Sequence, residues 1–123
     1  MNTRCLIVDD NAQFQRAARR LLERQGICVV GTAFDGREAL TRIAQLQPDV
    51  VLVDIELDGE SGFDLARLLD QRYEDPGPMT DMVRVIMISS HAEEDYRELI
   101  ESSAAVGMVG KSALSAEAIR ALL

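Results

Sequence analysis

The sequence predicts a doubly wound α/β domain, with a five-stranded parallel sheet and five helices. Five apolar runs recur along the 123 residues, each is followed by a segment of helical period, and the runs are continuously apolar rather than alternating. Continuous runs suit parallel strands covered on both faces.

The first run is CLIV, Cys5 to Val8. Phe14, Ala17, Ala18, Leu21 and Leu22 then trace one face of a first helix at steps of three and four, and Gly26 closes it. ICVVG, Ile27 to Gly31, is the second strand, and the helix after it opens with a capping box, Asp35 with Glu38, and carries Ala39, Leu40, Ile43 and Ala44 on its apolar face. VVLV, Val50 to Val53, precedes a helix capped by Ser61 with Asp64 and faced by Phe63, Ala66, Leu68 and Leu69. VRVIMI, Val83 to Ile88, leads to Ser90 with Glu93, then Tyr96, Leu99 and Ile100. VGMVG, Val106 to Gly110, is the weakest strand, followed by Leu114, Ala118, Ile119 and Leu122. One connection is unusual: YEDPGPMTD, Tyr73 to Asp81, is longer than such loops normally are and reads as a surface excursion.

Residues 1–123 are expected to form one domain, large enough to bury a core without disulfides or a metal staple. Apolar content of 47% with 28% charged residues is ordinary for a globular protein, and neither a signal peptide nor a membrane span is evident, so a cytoplasmic location without membrane association is expected. Cys5 and Cys28 lie in apolar runs without CxxC spacing and read as buried packing thiols. A net charge of −8 repels a phosphate backbone, which argues against direct nucleic-acid binding.

The chemistry gathers at the carboxyl ends of the strands, where open parallel sheets bind ligands. Asp9 and Asp10 follow the first strand, Asp54 the third, Ser89 the fourth and Lys111 the fifth. Three carboxylates so close repel one another, by roughly 4 kcal/mol for a pair ~4 Å apart at an effective dielectric of ~20. A hard divalent cation, a raised pKa on one acid, or both must relieve this. An oxygen-only donor set suits Mg²⁺, with Mn²⁺ as the alternative ion, and Lys111 adds a compact positive charge opposite it; such a site is built to hold a phosphoryl group. The stretch from Asp54 through Glu56, Asp58 and Gly59 starts like a calcium loop, but the twelfth position is Leu65 and a strand precedes it, so that reading fails.

Four segments together resemble the response-regulator receiver domains of two-component signalling: LIVDDN, PDVVLVDIELDGESG, VIMISSHAEEDY and GMVGKS, in this order, each at a strand end. The resemblance spans the chain and implies a flavodoxin-like strand order of 2-1-3-4-5. It also implies that Asp54 accepts a phosphoryl group from a sensor histidine kinase, a phosphotransfer protein or a small donor such as acetyl phosphate. Asp10 would ligate Mg²⁺ directly, Asp9 through water, and Asp54 and the backbone carbonyl of Glu56 would complete the protein ligands. Ser89 matches the switch hydroxyl, Lys111 the phosphoryl partner, and the Ser90 N–H would face the phosphoryl group. The Glu56 and His91 side chains, each two positions beyond a site residue, would tune autodephosphorylation. Such a protein is a phosphoacceptor and not an enzyme acting on separate substrates. Its readout would be a population shift on the face of helix four, strand five and helix five, toward a homodimer or a bound partner.

The sequence departs from the pattern at three places. Met108 stands where an aromatic residue is usual, Ser112 where a proline commonly follows the lysine, and Asp58 where a proline is frequent. KSALSAEAIRALL resembles the end of receivers that precede a helix-turn-helix, so the chain is either a stand-alone receiver or one excised from a regulator with a C-terminal DNA-binding domain. The competing readings are a pseudo-receiver that scaffolds without phosphorylation, an Asp-nucleophile phosphohydrolase of the haloacid-dehalogenase type, and a flavodoxin-like nucleotide binder. The phosphohydrolase lacks its DxDx[TV] motif after the first strand, and the nucleotide binder lacks a glycine-rich phosphate loop. Two plainer roles compete at single residues: Asp10 with Gln13 as a helix cap, and Asp58 and Glu60 as loop decoration.

Overall fold

A computed structural model describes residues 3–57, 59–67, 83–90, 96–103 and 105–123. The continuous apolar runs become β1 (Arg4–Val8), β2 (Cys28–Ala33), β3 (Val50–Asp54), β6 (Arg84–Ser89) and β7 (Gly107–Gly110), which form one sheet in the order β2-β1-β3-β6-β7. All four pairings are parallel. Counting only these five, the order is the expected 2-1-3-4-5. Between β3 and β6, a two-stranded ribbon not foreseen from the sequence pairs β4 (Glu56–Leu57) antiparallel to β5 (Glu60–Ser61).

Five helices appear among the described residues: α1 (Ala12–Arg24), α2 (Gly36–Leu46), α3 across residues 62–67, α4 (Arg97–Glu101) and α5 (Ala116–Leu122). Two apolar clusters show how they cover the sheet. Leu6, Val8, Val51, Val53, Val85 and Met87 point to the side of α2, α3 and α4, with Ala39, Ile43, Leu65 and Ala66. Their alternating neighbours Cys5, Ile7, Val50, Leu52, Ile86 and Ile88 point to the side of α1 and α5, with Ala18, Leu22, Ala116 and Ile119. Strands buried on both faces have no polar positions to alternate, which is why the runs read as continuous.

Several local expectations need correction. The N-cap of α1 is Asn11, whose side chain accepts from the Phe14 N–H, so Asp10 is not a helix cap. The buried stripe of α1 is Gln15, Ala18 and Leu22, with Phe14 partly buried, while Ala17 and Leu21 are exposed. Ala44 is exposed on α2. Ser61 caps through the Phe63 N–H rather than pairing with Asp64. Leu114 is buried but precedes α5, whose cap is Ser115. Cys28 is exposed because it opens the edge strand β2, whereas Cys5 is fully buried and its thiol is pushed up to about 12 by desolvation. Asp35 caps α2 as expected, and Gly26, at φ +91°, turns the chain out of α1 in the left-handed conformation that glycine adopts freely. Leu68, Leu69, Glu93 and the Tyr73–Asp81 connection lie outside the described residues.

Candidate functional site

Parallel strands in register deliver their last residues to one edge. Val8 pairs with Val53, Asp54 with Ile88, and Ser89 with Gly110, so the residues beginning at Asp9, Asp54, Ser89 and Lys111 all emerge there. Asp9 and Asp54 are buried and Asp10 is exposed, and one carboxylate oxygen from each lies within 4.8 Å of the others. The Lys111 ammonium reaches into this group, 2.7 Å from Asp9 Oδ2 and 3.1 Å from Asp54 Oδ2.

The backbone fixes these acids. Asp9 Oδ1 accepts from the Asn11 N–H at 2.8 Å, and the buried Gln15 Nε2 donates to the Asp9 carbonyl at 2.6 Å and the Ala33 carbonyl at 2.9 Å. Asp54 Oδ1 accepts from the Glu56 N–H at 3.0 Å, leaving Oδ2 to face Lys111. Gly62 packs directly beneath Asp54: a Cβ there would fall on the Asp54 carbonyl oxygen and 2.8 Å from Met87 Cε. Ser89 is 2% exposed at the end of β6, and Ser90 beside it is exposed.

Desolvation raises the pKa of Asp54, assisted by the charge of Asp9 and opposed by the Glu56 N–H and Lys111. For Lys111 desolvation works against its charge, but its contacts with Asp9 and Asp54 outweigh that and leave its pKa raised too. The lysine is therefore held cationic beside an acid that ionises reluctantly. Asp9 Oδ2 is buried, with the Lys111 ammonium beside it. Three carboxylate oxygens within 4.8 Å of one another, with a single ammonium to balance them, fit a divalent cation of the Mg²⁺ class.

Of the other expected residues, Met108 is buried in the apolar cluster on the side of α2, α3 and α4, and Glu56 Oε1 accepts from the Tyr96 hydroxyl at 3.1 Å. No cis peptide occurs among the described residues, so the Lys111–Ser112 bond is trans and opens a 3-10 turn, Lys111–Ala113. His91 and Asp58 lie outside the described residues. Asn11, Phe14, Gln15, Gly62 and Tyr96 were missed as site-shaping residues. Gln15 had a signal, a polar residue in step with Ala18 and Leu22, and Lys111 had another: it is the only lysine in the sequence.

A five-stranded parallel sheet whose carboxyl edge gathers three acids and one amine places the chain among doubly wound α/β proteins with a charged site at that edge. The chain belongs to the response regulator receiver domain family, which matches residues 5–123. Receiver domains of two-component systems are phosphoacceptors and bind Mg²⁺ at an acidic pocket. Over 111 residues the chain is 40% identical to a protein-glutamate methylesterase/protein-glutamine glutaminase of Symbiobacterium thermophilum, covering 88% of this chain and 28% of that protein. It is 30% identical over 120 residues to the response regulator GacA of Pseudomonas viridiflava, covering 97% of this chain and 53% of GacA. The chain thus spans between about a quarter and a half of these relatives. The solved signal receiver domain of NarL from Mycobacterium tuberculosis matches with a TM-score of 0.80 at 30% identity, covering 98% of this chain and 93% of that one. Among the described residues no helix is long and apolar enough to cross a membrane.

Proposed function

We infer that this chain is a phosphorylation-dependent switch whose phosphoacceptor is Asp54. The observation that carries the reading is the contact of Lys111 with both Asp9 and Asp54 at the edge where Asp10 also lies. A carboxylate oxygen of Asp54 attacks phosphorus in line; the new O–P bond forms as the P–N bond of a phosphohistidine, or the P–O bond of acetyl phosphate, breaks. Asp9, Asp10, Asp54 and the Glu56 carbonyl would hold Mg²⁺, which when bound neutralises charge on the transferring group. The Glu56 N–H fixes the acceptor carboxylate, and Lys111 draws a phosphoryl oxygen toward the position now taken by Asp54 Oδ2. Ser89, at the end of β6, is the hydroxyl that answers the new group, and the Ser90 N–H is a second donor.

The phosphodonor partner is a sensor histidine kinase or a phosphotransfer protein. The output surface is the side formed by α4, β7 and α5, supported by two exposed apolar side chains there, Leu99 at 52% and Val106 at 42%. Phosphorylation adds roughly −1.5 to −2 charge by analogy with other phosphorylated side chains and shifts the population toward a state that dimerises or docks a partner through this surface.

Fluoroberyllate, a phosphoryl mimic, tests the switch. With Mg²⁺ it is expected to produce a new set of amide resonances at Asp54, Ser89, Gly110 and Lys111 that spreads to α4, and to produce none in Asp54→Asn. Identical spectra with and without fluoroberyllate would leave the chain as a scaffolding pseudo-receiver.

A further inference from the structure

We propose that Phe14 is the positioning residue for Lys111, and that its ring, rather than a generic apolar side chain, is what this site requires; the claim rests on the phosphoacceptor reading above. Among the described residues, the Lys111 ammonium lies beside Asp9 Oδ2 at 2.7 Å, Asp54 Oδ2 at 3.1 Å, and the Phe14 ring, whose centroid is 4.6 Å away. The two acids supply attraction. The ring supplies direction, because a quadrupole draws a cation to its face and its bulk keeps water from that side.

Phe14 is itself tightly placed. Its N–H is tied to Asn11 Oδ1 at 3.0 Å, its side chain packs partly buried against the cluster shared by α1 and α5, and the next residue, Gln15, is anchored to the carbonyls of Asp9 and Ala33. Lys111 by contrast comes from a short 3-10 turn, carries a long flexible stem, and has a side chain 20% exposed. Without the ring, the ammonium keeps its charge partners but gains a route to solvent. Phe14 thus seats a mobile cation where the phosphoryl oxygen arrives, linking the first turn of α1 to the transfer step without touching the reacting atoms.

Because Lys111 is the sole lysine, selective carbon-13 labelling at the lysine ε position gives one signal to watch. In the parent protein its ε-CH₂ protons should be shifted upfield by the ring current; Phe14→Leu should remove the shift and Phe14→Tyr should keep it. Transfer from phosphoramidate with Mg²⁺ should then slow about three- to tenfold in Phe14→Leu and recover in Phe14→Tyr, with Mg²⁺ affinity unchanged in both. An unshifted signal in the parent, a full rate in Phe14→Leu, or a Tyr variant as slow as the Leu variant would overturn the proposal. A parent that cannot be phosphorylated would instead overturn the phosphoacceptor reading, while the lysine signal would still decide the seat.

Discussion

Asp54 ionises at a cost to the fold. Its pKa is raised above the ordinary 3.8, chiefly by desolvation, so the penalty for its charge is absent below that value and fully present once the pH exceeds the raised pKa. Without Mg²⁺, Asp54→Asn should therefore melt at a higher temperature than the parent at pH 7, and the gap should close as the pH falls toward 3.8; calorimetry showing the parent more stable at neutral pH would refute this. Gln15 has the opposite sign. Replacing it with Leu deprives the buried Asp9 carbonyl of its donor, though the Ala33 carbonyl keeps the Asp9 N–H, and should cost about 1–3 kcal/mol in urea unfolding. The gathering of Asp9, Asp10, Asp54 and Lys111 at one sheet edge was legible in the sequence because each follows the end of an apolar run. The helical spacing marks Gln15 as facing inward but does not name the carbonyls it bridges, and the Phe14 ring over Lys111 and the Tyr96–Glu56 bond join residues far apart in the chain, where no spacing rule announces a partner.

At the scale of elements, the strands were readable to within a residue or two because both faces of the sheet are covered, so apolar content alone marks them. Helix faces were less readable. On α1 the sequence pattern admits Ala17 and Leu21, yet the packed stripe includes Gln15, since strand-end carbonyls at the sheet edge need a donor more than the core needs another methyl group. Edge position also defeats composition: Cys28 sits in an apolar run but opens the outer strand β2, which has a neighbour on one side only. The end of α2 carries strain that can be relieved. Gln47 adopts φ +48° directly before Pro48, a conformation glycine holds without Cβ conflict, so Gln47→Gly should stabilise the protein by roughly 0.5–1 kcal/mol, read as a higher denaturation midpoint with an unchanged slope. A lower midpoint would show that the side chain does more there than occupy a cap.

Across the whole molecule, two apolar clusters clamp one sheet from opposite sides, while the sheet's carboxyl edge concentrates like charges that oppose folding. A ligand that binds only the folded state and neutralises those charges must stabilise it. Mg²⁺ at about 100 times its dissociation constant should add about 2.7 kcal/mol, seen as a concentration-dependent rise in Tm. Asp10→Asn should abolish that rise while leaving Mg²⁺-free stability nearly unchanged, because Asp10 is exposed. A Tm that ignores Mg²⁺, or an undiminished rise in Asp10→Asn, would remove the cation from the account.

Whether Asp54 receives a phosphoryl group is read from intact mass after incubation with Mg²⁺ and acetyl phosphate or phosphoramidate, beside Asp54→Asn and a Mg²⁺-free control. The parent with Mg²⁺ should show a labile gain of one phosphoryl mass, and neither control should. An unchanged mass in the parent, or the same gain in Asp54→Asn, would contradict phosphoryl transfer to Asp54.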